Sequence, residues 1–289
     1  MRRGHLVLAL ATAATLTLAG CSGGDGGDDT DAGATGGATE STGGAEGTIK
    51  IGIKFDQPGL GFQDGSEFTG FDVDVAKKVA EKLGYGEDQI EWVQAPSKQR
   101  ETLLQNGQVD MIFATYSITD ERKEVVAFAG PYFVAGQDLL VAADEDSITG
   151  PEDLEGKTLC SVTGSTSAQR IKDEYAAGTQ LLEQPGYAEC VTALTAGTVD
   201  AVTTDDIILA GLAAVPANEG KVKVVGNPFS EENYGVGIPQ DSDKCEAINE
   251  AITEMIEDGT WQELLDENVG TSGYKANEEL NPPTPDACA

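Results

Sequence analysis

Ile49-Lys50-Ile51-Gly52-Ile53-Lys54-Phe55 alternates apolar with polar or small residues, the period of a half-buried strand. Gly70-Phe71-Asp72 then opens a run with apolar residues at Val75, Val79, Ala80 and Leu83, spaced as on one face of a helix, and Gly84 stands near its end. Residues 90–93 read as a short strand. Pro96-Ser97 precedes a helix through Leu103-Leu104 that Gly107 closes, and 109–114 read as a further strand. This β-α-β-α-β order predicts a mostly parallel sheet with helices packed on it.

The order recurs further along. Residues 158–162 read as a strand, 167–175 and 188–196 as helices, 199–203 as a strand, 206–214 as a helix and 221–225 as a strand. A local echo links the halves. Leu104-Gln105-Asn106-Gly107-Gln108-Val109-Asp110 and Leu194-Thr195-Ala196-Gly197-Thr198-Val199-Asp200 share the form L-x-x-G-x-V-D, a helix end, a glycine cap and a strand start. Five residues beyond each motif's aspartate stand Thr115 and Asp205, at the carboxyl ends of their strands. Open α/β sheets bind ligands at those ends. The expected fold class is therefore α/β, with two Rossmann-like lobes and a ligand cleft between them, Thr115 on one wall and Asp205 on the other. After Tyr234, helical stretches at 241–258 and 261–267 return the chain to the first lobe. The expected division is 47–141 for the first lobe, 142–232 for the second, 233–270 for the return and 271–289 for a C-terminal tail.

The 289 residues include 50 acidic and only 18 basic ones, a formal charge of −32. Nucleic-acid binding needs a basic footprint, so no such partner is expected. His5 is the only histidine. It lies in a segment (1–20) that has the parts of a secretory leader: Arg2-Arg3, an apolar run, then Leu18-Ala19-Gly20. An exported chain then has no histidine for Ser-His-Asp catalysis or for a His-based zinc site. Leu18-Ala19-Gly20-Cys21-Ser22 resembles the lipobox of bacterial lipoproteins, which implies that Cys21 becomes the acylated N-terminus and anchors the chain to a membrane. Residues 21–46 then form a tether, since 22–46 hold no basic and no large apolar residue. The aspartates within 25–31 lack the spacing of a calcium loop. No metal and no cofactor are expected. Cys160, Cys190, Cys245 and Cys288 remain. Export favours two disulfides, and of three pairings Cys160–Cys190 with Cys245–Cys288 keeps each bond within one region.

Gly70-Phe71-Asp72-Val73-Asp74-Val75, followed by Val79-Ala80 and Leu83, resembles the signature of the family 3 bacterial extracellular solute-binding proteins, which serve ABC importers of polar amino acids. The likeness runs through Phe113-Ala114-Thr115-Tyr116-Ser117-Ile118-Thr119-Asp120-Glu121-Arg122, Phe128-Ala129-Gly130-Pro131-Tyr132-Phe133 and Val162-Thr163-Gly164-Ser165-Thr166-Ser167 to residues 200–205. Gly52-Ile53-Lys54-Phe55-Asp56-Gln57-Pro58-Gly59 adds a particular likeness to glutamate-binding lipoproteins.

The resemblance implies roles residue by residue. Arg122 would grip the ligand α-carboxylate with its planar guanidinium. Thr115 and Ser117 would contact ligand beside it. Gly164, Ser165 and Thr166 would offer the amide groups of a helix start to the same carboxylate. Asp205 would meet the ammonium, with Asp206 beside it as a helix-start charge. Lys54, Ser97 and Arg100 would take a side-chain carboxylate. Phe55, Phe62 and Tyr116 either line the cleft or pack the core, and Asp72 and Asp74 are expected to be structural. The expected function is capture of L-glutamate, aspartate or another polar amino acid by a monomeric, lipid-anchored protein outside the cytoplasmic membrane, for delivery to an ABC permease, with no enzymatic activity. The alternative is a cyclohexadienyl or arogenate dehydratase on the same fold, which needs a general acid in the cleft.

Overall fold

The computed structural model describes Ala45 and residues 47–175 and 178–288. The expected leader (1–20), the acylated Cys21 and the aspartates within 25–31 lie outside the described residues, as does nearly all of the tether.

Two five-stranded sheets carry the fold. The first has the spatial order Ile90–Gln94, Ile49–Ile53, Met111–Phe113, Glu232–Ile238, Ala127–Ala135. The second has the order Gln180–Gln184, Thr158–Val162, Ala201–Asp205, Gln137–Ala142, Val222–Val224. In the first, Glu232–Ile238 runs antiparallel to both neighbours. In the second, Gln137–Ala142 does so. The sheets are thus mixed where mostly parallel ones were expected. Each reversed strand directly follows a passage of the chain from one sheet to the other, so the two lobes exchange the strand that a hairpin would otherwise supply.

These passages correct the expected lobe boundaries. Gln137–Ala142 pairs in the second sheet, so the first crossing falls at Gly136 and not after residue 141. Glu232 pairs with Ala135 in the first sheet, so the return is complete one residue earlier than expected. The apolar run through 127–142 hides the crossing. Its one carboxylate, Asp138, is buried and accepts the amides of Leu139, Gly226 and Asn227.

In the first lobe the helix Phe71–Lys82 buries Phe71, Val75 and Val79 on one side and Asp72, Ala76 and Ala80 beside them. Gly70 precedes it at φ 117, where a Cβ would collide with the Leu60 carbonyl. Trp261, from the helix Thr260–Val269, stands edge-on to Phe71 at 5.8 Å. Its indole donates to the Tyr132 carbonyl at 2.7 Å, so its polar atom is satisfied inside the core. A ribbon of three short strands, Asp56–Gln57, Gly61–Asp64 and Glu67–Thr69, connects the first strand to the first helix.

Disulfides join Cys160 to Cys190 and Cys245 to Cys288, the pairing expected. The C-terminal segment is tied along the outer strand of the first sheet. Asn281 mimics a strand residue there: its side chain accepts from the Val134 amide at 2.9 Å and donates to the Val134 carbonyl at 2.8 Å. The Asp286 amide donates to the Gly130 carbonyl. An otherwise open sheet edge is thereby covered.

Candidate ligand-binding site

The two L-x-x-G-x-V-D stretches have matching hydrogen bonds. Gly107 and Gly197 end their helices at φ 62 and 70. The Asp110 amide donates to the Lys50 carbonyl, and its carboxylate accepts the Lys50 amide at 2.8 Å. Asp200 does the same with Thr158, its carboxylate accepting at 2.7 Å. Each aspartate therefore clamps the central strand to its neighbour. The echo fixes how Thr115 and Asp205 are presented at the far ends.

Thr115 and Asp205 line one small cavity of about 10 Å³ with Ser97, Arg100, Ser165, Thr166, Ser167, Tyr187 and Ile208, the lobes standing close together around it. Ser97, Arg100 and Thr115 come from the first lobe, the others from the second. Thr115 has φ 47, the left-handed region that non-glycine residues rarely enter. Its amide is directed to the buried carboxylate of Asp72 at 3.0 Å, and Tyr132 donates to the other oxygen at 2.7 Å. Asp72 is the helix-start residue expected to be structural. Burial pushes its carboxyl up to about 6, against the pull of the Tyr132 and Thr115 hydrogen bonds.

Two guanidinium groups pack against one aromatic ring in the first lobe. Arg100 lies 4.1 Å and Arg122 4.9 Å from the Tyr116 ring centroid. The Tyr116 hydroxyl donates to Glu101 at 2.7 Å, and the same Glu101 oxygen is 3.4 Å from Arg122 Nε. Arg100 donates to the Ala114 carbonyl, and burial, followed by the nearby charge of Arg122, lowers its pKa to about 10. It remains a cation at neutral pH. Arg122 donates to the Ser117 carbonyl at 2.7 Å and, across the lobes, to the Gly164 carbonyl at 3.3 Å. Lys54 is 2% exposed and donates to Ser97 Oγ at 3.3 Å, with Asp56 at 4.0 Å. Burial lowers its pKa to about 8.

The second lobe answers with an anion and a helix start. Ser165 caps the helix Thr166–Arg170, accepting from the Ala168 amide at 3.0 Å. Gly164 has φ 81, and a Cβ there would press on the Lys98 backbone of the other lobe at 2.8 Å, so only glycine permits this approach. Thr166 Oγ1 and Ser117 Oγ meet across the lobes at 3.3 Å. Asp205 accepts from the Tyr234 hydroxyl at 2.6 Å and faces Ser167 Oγ at 3.5 Å. Burial, with the charge of Glu232, holds its carboxyl well above the usual range. Asp206 behaves differently. It accepts the Gly136 and Ile207 amides and the Tyr274 hydroxyl.

Of the ten residues expected at the site, six line this cavity. The other four stand beside it. Lys54 reaches it through Ser97 and also borders a groove with Phe55, Asp56, Lys98, Pro185 and Glu189. Arg122 and Gly164 border a second groove, and Ser117 touches Thr166. Phe62 borders a separate groove with Pro58 and Pro216. Tyr187, Ser167 and Ile208 were not anticipated. Ser167 continues the polar 164–166 loop; Tyr187 stands one residue before the helix expected over 188–196, and no pattern in the sequence marks it as facing the other lobe.

Two α/β lobes with a polar cavity at the facing ends of their strands define a solute-binding protein of the two-lobed, type II kind. Residues 49–271 match the bacterial extracellular solute-binding proteins, family 3, and the chain belongs to that family. It is 45% identical to the glutamate-binding protein GluB of Corynebacterium efficiens over 287 residues, 94% of this chain and 93% of that one. Among solved structures it resembles an ancestral arginine-binding protein bound to glutamine, with a TM-score of 0.71 and 38% identity over 78% of this chain and 99% of the other. It also resembles the ancestral amino-acid-binding protein AncCDT-1, a precursor of cyclohexadienyl dehydratase, with a TM-score of 0.69 and 30% identity over 77% of this chain and 95% of the other.

Proposed function

We propose that this chain captures L-glutamate outside the cell and delivers it to an ABC permease, with aspartate and glutamine as the competing ligands. One observation carries the reading: Arg100 and Thr115 of the first lobe line the same cavity as Ser165, Thr166 and Asp205 of the second. A zwitterion held there would bridge the lobes and select the closed form. Arg122, Thr115, Ser117 and the Gly164-Ser165-Thr166 helix start take the α-carboxylate. Asp205 takes the ammonium. Lys54, Ser97 and Arg100 take the side-chain carboxylate. A buried carboxylate without a partner costs several kcal/mol; Lys54 and Arg100 stand near Ser97, apart from the α-carboxylate group around Arg122, and so offer a partner to a second carboxylate. The likeness to GluB supports the same choice.

The rest of the proposal concerns placement. Residues 1–20 are removed, Cys21 carries the lipid anchor, 21–46 form the tether, and the folded body acts as a monomer against the permease. The chain acts as a binder and not as an enzyme. The likeness over nearly the whole chain to a glutamate-binding protein supports the binding role.

Titration calorimetry with glutamate, aspartate, glutamine, arginine and a neutral amino acid tests the reading. Glutamate is expected to bind tightest. Binding of arginine or a neutral amino acid in preference to every acidic one would overturn it. Turnover of prephenate or arogenate would overturn the non-enzymatic role.

A further inference from the structure

The helix Tyr187–Thr195 of the second lobe starts after Gly186, which has no side chain to cap it. Its first amide is nevertheless satisfied. Tyr187 N donates to Asp56 Oδ2 at 3.1 Å, and Asp56 belongs to the ribbon of the first lobe. An N-cap ordinarily comes from the residue just before the helix, because only that residue is held close enough. Here the cap comes from 131 residues away, across the lobe boundary. A carboxylate at that position also meets the positive end of the helix dipole.

The surroundings fit a contact made for closure. A Cβ on Gly186 would lie 2.5 Å from Asp56 Oδ2 and 2.7 Å from Glu189 Oε2. Glycine thus leaves the room that Asp56 uses. Cys190 of the same helix is bonded to Cys160 in the strand Thr158–Val162, so the helix cannot follow Asp56 without its lobe. Tyr187 lines the cavity itself. Asp56 Oδ1 lies 4.0 Å from the Lys54 ammonium.

On the reading that an amino acid is held between the lobes, we propose that Asp56 is the closure latch: it caps the helix Tyr187–Thr195 only when the lobes are together and so tightens the grip on every ligand. Losing a cap costs about 1 kcal/mol, which is about fivefold in affinity. Asp56→Ala therefore weakens glutamate and glutamine by the same factor of about five. Asp56→Asn keeps an accepting oxygen and stays within twofold of the parent protein, because asparagine caps as well as aspartate. Gly186→Ala, a variant on the partner lobe, weakens both ligands in the parent protein but has little further effect once Asp56 is alanine.

Calorimetric titration of the four proteins and the double variant, with small-angle scattering of the ligand-bound forms, decides the matter. Equal affinities for the parent and Asp56→Ala would overturn the latch. So would a loss in Asp56→Asn as large as in Asp56→Ala, which would assign the effect to charge beside Lys54, or strictly additive losses in the double variant. If the parent protein bound neither glutamate nor glutamine, the ligand reading itself would fall, and the latch with it.

Discussion

The Asp72 carboxylate accepts the Thr115 amide at 3.0 Å and so holds the first residue of the cleft wall in a left-handed conformation. The residue behind the site and the residue in it are therefore one unit. The geometry that presents Thr115 to the cavity is set by a helix-start aspartate on which Tyr132 also converges.

Asp72→Asn keeps one oxygen for two donors. The expected loss is about 1–3 kcal/mol in urea unfolding at pH 4.5. Burial has pushed the Asp72 carboxyl up to about 6, above the ~3.9 of an unfolded chain. The folded state thus holds this proton more tightly than the unfolded one, and stability from this group falls as pH rises from about 4 through about 6. Asparagine does not titrate. The deficit of the variant should narrow across that window, and a deficit unchanged with pH would show that Asp72 is not the group responsible.

Gly70 and Gly197 both have positive φ, at 117 and 70, but only Gly70 is crowded. Gly70→Ala would drive its methyl group into the Leu60 backbone, and the protein should lose more than about 3 kcal/mol or fail to fold. Gly197→Ala meets open space and should cost only about 1 kcal/mol, the strain of a left-handed alanine. Comparable losses in thermal unfolding would contradict the crowding.

Much of this was readable beforehand because the periodicities are strong. The alternation at Ile49–Ile53, the helix face of Phe71–Lys82 and the repeated L-x-x-G-x-V-D all mark local structure, and the echo points to Thr115 and Asp205. What stayed hidden depends on contacts distant in the chain. Gly136 marks a passage between sheets, but a continuous apolar run surrounds it. Asp72 looks like an ordinary first-turn charge until the sheet is packed on that turn. The helix over 188–196 is expected from its sequence, but the place of Tyr187 at the cavity and its hydrogen bond to Asp56 depend on the packing of the two lobes.

The cations divide the ligand between them, so two substitutions should separate its ends. Lys54→Gln removes a charge that only a side-chain carboxylate uses. Glutamate affinity should fall about 10- to 100-fold while glutamine stays within a few-fold, by the worth of a charge-assisted hydrogen bond. Arg122→Ala removes the partner of the α-carboxylate that both ligands share, and both should weaken together by about 30-fold or more. Calorimetry with the two ligands checks this, and a uniform loss in Lys54→Gln would reassign Lys54 to the fold.

Asp205 makes the last prediction, because its protonation opposes its proposed task. Burial and the charge of Glu232 keep the proton on this carboxyl above the usual range, yet a ligand ammonium pairs with the carboxylate form. A ligand ammonium that pairs with Asp205 displaces that proton. Calorimetry in buffers of different ionisation heat should detect proton release on binding at acid pH, and Asp205→Asn should remove it. Affinity for both ligands should rise with pH on the acid side, by up to about tenfold per pH unit. Above about pH 8 the curves should part. Lys54, lowered to about 8 by burial, loses its charge there, so glutamate weakens while glutamine does not. A titration with no proton release and flat affinity from pH 6 to 8 would mean that the ammonium lies elsewhere than against Asp205.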